Sequence, residues 1–339
     1  MFTLKRLVNL IIKPGRSIGR PFYTAVLCLC LVLAVPLEGC TRNEMPVSKT
    51  GFYFDTIVTV SLYGKNADKT LDECMDLAAR YDGLFNKNTK TSDIYKINHA
   101  LGNPVEVDPD TAELLNLALE FAASSDGKFD PTIGSVSSLW DFKSEDPGLP
   151  DPENLAEALK HVDHRNLSVS GNTVTLSDPE ASVDPGAIAK GYVADAMRSF
   201  CISKGITSGY INLGGNVLTI GSKPSGEAFV VGIKDPSPDS GTAITAVNSA
   251  DSSVVTSGVY ERCFTIDGVD YHHILDTKTG YPVKNNLLSV TVIGPSSATC
   301  DALSTILFIM GIDEGSEFIK NYEGYECIFI DEDKNLISK

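Results

Sequence analysis

SGYINLGGNVLTIG, residues 208–221, reads as two short strands separated by the pair Gly214-Gly215. Glycine weakens a strand and marks either a bulge or tight turn, or close approach by another backbone or a ligand. Further strands are predicted over 228–234, 243–249, 251–256 and 287–293, with a hairpin over 262–275 turning on Asp267-Gly268. Upstream, the alternation of FYFDTIVTVSLY predicts a strand over 52–63. Leu71, Cys74, Ala78, Tyr81 and Phe85 recur at helical spacing and predict a helix over 68–85. A second helix is predicted from Asp110 to Ser125, with Asp110 as N-cap, Glu113 closing a capping box and Gly127 following as a stop. Asp151-Pro152 opens a third, as cap and first-turn proline. A hairpin over 167–176 turns on Gly171-Asn172. Another helix spans 186–204, approached through Asp184-Pro185-Gly186 and left at Gly205. A helix opening at Asp301, a helix over 313–321 and a strand over 325–330 finish the chain. No repeat, low-complexity tract or linker interrupts residues 51–339. Helices interspersed with antiparallel strands and no domain break predict a single α+β domain, with mixed or antiparallel sheets and flanking helices.

The start of the chain is of another kind. Residues 1–20 carry Lys5, Arg6, Lys13, Arg16 and Arg20 and no acid, and residues 23–36 (YTAVLCLCLVLAVP) are almost wholly apolar. An apolar run of that length falls short of the roughly 20 residues a spanning helix needs. A basic region followed by a short apolar one is the pattern of a secretory signal. It ends at Leu37-Glu38-Gly39-Cys40, which resembles a bacterial lipobox, with Glu38 where a small or apolar residue is usual. The expectation is a lipoprotein signal over 1–39, lipidation at Cys40 and a polar tether over 40–50. An uncleaved N-terminal anchor is the alternative, and either places the protein at the extracytoplasmic face of a bacterial membrane. The formal charge of the whole chain is −16. A body this acidic, with no basic stripe, excludes nucleic acid as a partner and makes a cation requirement reasonable if a phosphate ligand is bound. Cys74, Cys201, Cys263, Cys300 and Cys327 remain beyond Cys40. They form no CxxC or zinc-like spacing and, being odd in number, no full disulfide framework.

Three segments carry polar chemistry. Asp184-Pro185-Gly186-Ala187-Ile188-Ala189-Lys190-Gly191 is a glycine-centred turn running into a helix, where unpaired N–H groups favour anions and glycine lets a ligand come close. Lys190 adds positive charge one turn in. The plain reading is a well-capped helix with a surface lysine. Asp301-Ala302-Leu303-Ser304-Thr305 puts a carboxylate and a hydroxyl four residues apart on one helical face. That pair is either a cap and a packed threonine or two hard oxygen ligands for Mg²⁺, which commonly shares its shell with phosphates and water. Ser257-Gly258-Val259-Tyr260-Glu261-Arg262 leads into the hairpin bearing His272 and His273. Adjacent residues on a strand face opposite ways, so one histidine faces a pocket and the other the core or solvent.

Together with Asn212-Leu213-Gly214-Gly215-Asn216, His273-Ile274-Leu275-Asp276 followed by Thr279-Gly280-Tyr281-Pro282, and Asp126 to Gly134 with Leu139-Trp140, these segments resemble, in order, the ApbE family of FAD:protein FMN transferases. The resemblance covers about residues 51–330 and implies an ApbE, T-fold-like domain. Members bind FAD with Mg²⁺ and move the FMN half onto a Thr or Ser of a target flavoprotein, releasing AMP. Carried over residue by residue, it implies Asp301, Thr305 and the main-chain oxygen of Ala187 as metal ligands. Asp184, Lys190, Lys128, Phe129 and Asp130 are implied as FAD contacts, His273 as the catalytic residue and Ile274 as its neighbour on the flavin. Phe54 and Asn88 fall at flavin-contact positions of the family: Phe54 stands where relatives often have Met and could itself stack on the flavin, and Asn88 stands where an aromatic commonly lies on it. Ser304 replaces an acid that some members add to the metal site, and Thr277 a frequent Pro. Membrane redox pumps and extracellular electron-transfer flavoproteins are the family's usual acceptors. The rival readings are a FAD-binding lipoprotein without transfer, a Mg²⁺-dependent FAD pyrophosphatase giving FMN and AMP, and a solute-binding lipoprotein.

Overall fold

The polar stretch before residue 51 and the alternating run after it fold together as a hairpin in the computed structural model, which describes residues 45–142, 144, 146–237 and 240–339. β1 (Val47–Tyr53) and β2 (Thr56–Leu62) pair antiparallel, from Val47↔Leu62 to Tyr53↔Thr56. The single strand expected over 52–63 is thus broken at Phe54-Asp55, both at positive φ (54° and 56°), as a two-residue hairpin turn demands. The tether expected over 40–50 is shorter than that range. Val47 to Thr50 belong to β1, because their backbone groups pair with β2 and Val47 packs on the core. The expected signal and Cys40 lie outside the described residues.

α1 (Ala67–Phe85) buries Leu71, Cys74, Ala78, Tyr81 and Phe85, the face its spacing predicts. α2 (Asp93–Asn98) and β3 (Val105–Glu106) lead to α3 (Pro109–Ser124). The cap of α3 is Asp108, not Asp110. Pro109 takes the first helical position, where its missing N–H costs nothing, and Asp108 Oδ1 accepts the Asp110 N–H at 3.0 Å. Asp110 is thereby free to bind Arg80 at 2.7 Å, and Glu113 accepts the Tyr192 hydroxyl at 2.9 Å instead of closing a capping box. α4 (Gly134–Ser137), α5 (Pro152–Leu159, capped by Asp151), and the hairpin of β4 (Leu167–Ser170) and β5 (Thr173–Leu176) follow. α6 (Ala189–Ser203) opens three residues later than expected, because 186–188 form a turn. β6 (Gly209–Leu213) and β7 (Asn216–Ile220) flank Gly214 and Gly215, whose φ of 60° and 96° make the turn a side chain would strain. β8 (Phe229–Lys234), β9 (Ala243–Ser249), β10 (Ser253–Gly258), β11 (Cys263–Ile266), β12 (Val269–His272) and β13 (Leu287–Gly294) come next. α7 (Ser297–Phe318) unites the last two expected helices around a kink at Gly311 (φ 77°). β14 (Glu326–Asp331) and β15 (Leu336–Ser338) close the chain.

The main sheet has eight strands in the order β1-β2-β6-β7-β10-β13-β14-β15, with every neighbouring pair antiparallel. The long helices α1, α6 and α7 pack on this sheet and on one another, so the domain is α+β. Their shared core includes Val58, Leu62, Leu71, Met197, Ile211, Phe308 and Phe329. β3-β5-β4, β8-β9 and β11-β12 are satellite sheets.

α6 and α7 cross tightly at Gly191. A Cβ there would lie 2.2 Å from the Ser297 carbonyl oxygen, so only glycine lets α6 and α7 touch at this point. Gly191→Ala is expected to cost about 3 kcal/mol by overpacking against backbone that cannot yield. Denaturant titration should show a lowered midpoint at unchanged slope.

Candidate functional site

The α6–α7 crossing also brings the two halves of the candidate site together. Asp195 on α6 accepts the Ser296 hydroxyl (2.8 Å) and the Ser297 and Ala298 N–H groups (3.0 and 2.9 Å), satisfying the first turn of α7 from outside. Asp301 is therefore in the second turn and is no cap, because the helix begins at Ser297 and not at Asp301. Its side chain is 4% exposed. Oδ2 accepts the Gly191 N–H at 2.9 Å, and Oδ1 lies 3.4 Å from the Lys190 ammonium. That ammonium also donates to the Gly186 carbonyl at 3.2 Å, in the turn that contains Ala187.

Thr305 lies one helical turn beyond Asp301, and its hydroxyl meets Ser257 Oγ of β10 at 3.2 Å. Ser304 is occupied differently. Its hydroxyl donates to the Asp301 carbonyl at 2.9 Å and meets Ser257 Oγ at 2.8 Å. Where some relatives are expected to add an acid, this chain has a hydroxyl consumed in packing α7 to β10.

No cluster of three or more His, Cys, Asp or Glu residues suited to a metal occurs among the described residues. The donors at the crossing are one buried carboxylate, a hydroxyl and main-chain carbonyls, all hard oxygens. Such a partial set suits Mg²⁺ bound jointly with phosphates better than a complete protein cage. The lysine ammonium between Asp301 and the Gly186 carbonyl shows that this corner attracts positive charge.

The turn before α6 is braced from behind. Asp184 Oδ1 accepts the Gly186 N–H at 3.0 Å, while Oδ2 accepts the Lys87 ammonium at 2.6 Å and the Ser137 hydroxyl at 2.8 Å. Burial by itself would raise this carboxyl. Lys87, followed by the Ser137 and Gly186 donors, outweighs it and holds Asp184 below the usual carboxylate range. Neither Lys87 nor Ser137 stood out in the sequence. Lys87 lies in the loop after α1, far from residue 184 in the chain, and nothing local announces the pairing.

His272 ends β12 and His273 lies just past it. His272 is spent on structure. Its Nε2 contacts the Val283 carbonyl at 3.1 Å, its Nδ1 accepts the Ile274 N–H at 3.3 Å, and its ring stands edge-on to Phe308 at 5.7 Å. His273 has a buried Nδ1 with no hydrogen-bond partner among the described residues. Burial, reinforced by the positive charges of Arg262 and Lys190, pushes it down to about 3, so the imidazole is neutral. Glu261 shares this neighbourhood.

Several of the expected FAD-contact side chains are engaged elsewhere in the fold. Phe129 is buried and meets Phe121 edge-on at 6.3 Å. Asp130 is buried too: Oδ1 accepts the Thr132 N–H and hydroxyl (2.8 and 2.6 Å), and Oδ2 accepts the His164 N–H at 2.8 Å. These two side chains fold the loop, which reaches the cradle through backbone, the Pro131 carbonyl accepting the Asp184 N–H at 2.8 Å. Lys128 pairs with Glu314 at 3.3 Å, beyond the α7 kink. Ile274 packs in the main core and is 4% exposed, so it backs the histidine and offers no open surface to a flavin. Phe54 sits half-buried in the β1–β2 turn, its N–H on Asp82 Oδ1 at 3.0 Å. Asn88 is exposed in the loop beside Lys87.

The ApbE family model matches residues 54–329 of this architecture. The chain belongs to the ApbE family. The match begins in the β1–β2 turn and ends in β14, so both edge strands of the main sheet, β1 and β15, lie outside the ApbE span. A Treponema pallidum protein named FAD:protein FMN transferase is 32% identical over 91% of each chain. A Klebsiella pneumoniae protein of the same name is 35% identical, over 77% of this chain and 82% of its own length. Among solved structures, the ApbE protein of Thermotoga maritima superposes with a TM-score of 0.80 at 32% identity, covering 86% of this chain and 96% of that one. The flavin transferase ApbE of Vibrio cholerae gives 0.79 at 25% identity, with 87% and 97% covered.

Proposed function

We propose that this chain is a Mg²⁺-dependent FAD:protein FMN transferase, moving the FMN half of FAD onto a Thr or Ser hydroxyl of an acceptor flavoprotein with release of AMP. Membership of the ApbE family supports the transferase class. The observation that carries the finer reading is the Gly191 N–H bond to Asp301, which brings the glycine-rich helix opening and the Asp301–Thr305 face to one point. Within the turn at 186–188 the Gly186 N–H is held by Asp184 and the Ile188 N–H by the Pro185 carbonyl, which leaves the Ala187 N–H toward an anion, and Lys190 adds charge beside it. Asp301, Thr305 and the Ala187 carbonyl are the residues that would hold Mg²⁺. The ion, when bound, neutralises phosphate charge and steadies the leaving group.

Transfer forms one P–O bond, between the acceptor oxygen and the FMN-side phosphorus, and breaks the bridging P–O bond, with AMP leaving on its own phosphate. The acceptor proton needs a base. We assign that role to the His273 imidazole, which is neutral. The burial of Asp301 limits water at the cation-holding face.

The basic, then apolar leader ending at Cys40 supports a lipid-anchored protein acting outside the cytoplasm. The acceptor in this reading is a flavoprotein of a membrane or extracellular redox system. No helix among the described residues is long and apolar enough to cross a membrane.

The test is incubation of the protein with FAD, Mg²⁺ and a Thr-bearing acceptor peptide. Covalently flavinylated peptide with one AMP per FMN is the expected product, abolished by a chelator. Free FMN with AMP would mean hydrolysis, and intact FAD would mean binding alone; either overturns the transferase reading for that acceptor.

A further inference from the structure

We infer that Lys87 is a positioning residue for the phosphate cradle, acting through Asp184 and not by chemistry of its own. The inference rests on the FAD reading above and gives Asp184 a different task from direct contact with FAD. Both Asp184 oxygens are already engaged: Oδ1 with the Gly186 N–H, Oδ2 with Lys87 and Ser137. Lys87 Nζ also lies 3.0 Å from Ser137 Oγ, so ammonium, hydroxyl and carboxylate close a triangle.

Each corner comes from a different segment, and each is held in place. Lys87 stands in the loop leaving α1, where Ser92 Oγ and the Thr89 N–H both donate to the Asn86 carbonyl (2.7 and 3.2 Å) and the Asn88 N–H donates to Asn86 Oδ1 at 3.0 Å. Ser137 ends α4, whose first residue, Gly134, is pressed so tightly on Ser182 that a Cβ would lie 2.4 Å from the Ser182 carbonyl oxygen. Asp184 is fixed by its own N–H on the Pro131 carbonyl at 2.8 Å. The triangle ties the loop after α1, the end of α4 and the approach to α6 into one frame, and the Asp184 N–H joins the loop carrying Lys128 to Pro131 to it. Its output is the Gly186 N–H, anchored to a charged acceptor at the head of the turn that presents residues 186–190. Lys87 and Asp184 side chains are only 28% and 22% exposed, so water replaces either partner poorly.

A part-buried pair broken on one side leaves the surviving charge only partly compensated by water, which makes it worse than a pair removed. That asymmetry separates a positioning charge from a merely well-packed lysine. Lys87→Met is expected to weaken FAD binding, read by quenching of flavin fluorescence, by at least about tenfold, with kcat at saturating FAD within about twofold. Lys87→Arg should bind within about threefold of the native protein, since a guanidinium still reaches a carboxylate. Asp184→Asn placed in the Lys87→Met background should bind FAD more tightly than Lys87→Met alone, the stranded charge being gone. Unchanged affinity in Lys87→Met, or a double variant weaker than Lys87→Met, would overturn the inference. If the native protein itself fails to bind FAD, the fault lies in the functional reading and not in the role of Lys87.

Discussion

Asp301→Asn is expected to reduce FMN transfer by about 100- to 1,000-fold while leaving the domain folded. The size follows from the chemistry: a cation held on the pyrophosphate is worth several kcal/mol of transition-state charge, and each 1.4 kcal/mol is a factor of ten. Asp301 is the one carboxylate of the proposed donor set, alongside a hydroxyl and a carbonyl that bind a cation only weakly by themselves. Asparagine keeps the shape and can still accept the Gly191 N–H that Oδ2 now receives at 2.9 Å. It cannot supply the negative charge, and its amide N–H₂ set toward the Lys190 ammonium, 3.4 Å from Oδ1 in the native protein, opposes the cation. Measuring flavinylated acceptor over a Mg²⁺ series separates the causes. The variant should need far more Mg²⁺ or remain inactive at every concentration, and its thermal unfolding should move by only a few degrees. Transfer undiminished by the substitution, and equally undiminished by a chelator, would remove Asp301 and the metal from the reaction.

The Asp301–Thr305 face was readable because a helix places residues four apart on one side, and a four-residue spacing survives any error in where the helix begins. That tolerance mattered. The helix starts at Ser297, held by Asp195 from a neighbouring helix, so Asp301 is released from capping in a way that local sequence does not record. The strand order was less legible. β7 pairs with β10 across the β8–β9 excursion, a choice made by burial of the sheet face and not by any turn signal. The first hairpin was hidden because Phe54 and Asp55 turn at positive φ without a glycine or asparagine to announce it. Lys87 and Ser137 were invisible for the same reason that buried ion pairs generally are: the partner, Asp184, lies 97 and 47 residues away. Phe129 and Asp130 are buried in the loop they build. Their neighbourhood was identified, but a run holding an aromatic and a carboxylate can aim them inward to build the loop as readily as outward to bind a ligand.

His273 provides the second large effect and the sharper discrimination, since its neighbour is the same residue type. His273→Ala is expected to lower transfer by about 100- to 10,000-fold, the range for loss of a general base, with FAD affinity little changed. His272→Ala should do the opposite. It leaves the Val283 carbonyl without its ring contact and the Ile274 N–H without its acceptor, both buried, at about 1–3 kcal/mol for each group left unsatisfied. The cost should fall on stability, while transfer per folded molecule holds. The pH dependence has a definite sign. Burial depresses both imidazoles below the ordinary 6.5, His273 to about 3, so below pH 6.5 the unfolded chain binds protons that the folded one refuses. Stability from these groups is complete above pH 6.5 and drains away as the pH falls toward 3. His273→Ala should flatten that acid limb in denaturant titrations at pH 4, 5, 6 and 7, because the group that resists protonation has been removed. The native imidazole is neutral throughout the physiological range, at the expense of acid stability. Near-normal transfer by His273→Ala together with abolished transfer by folded His272→Ala would reverse the assignment.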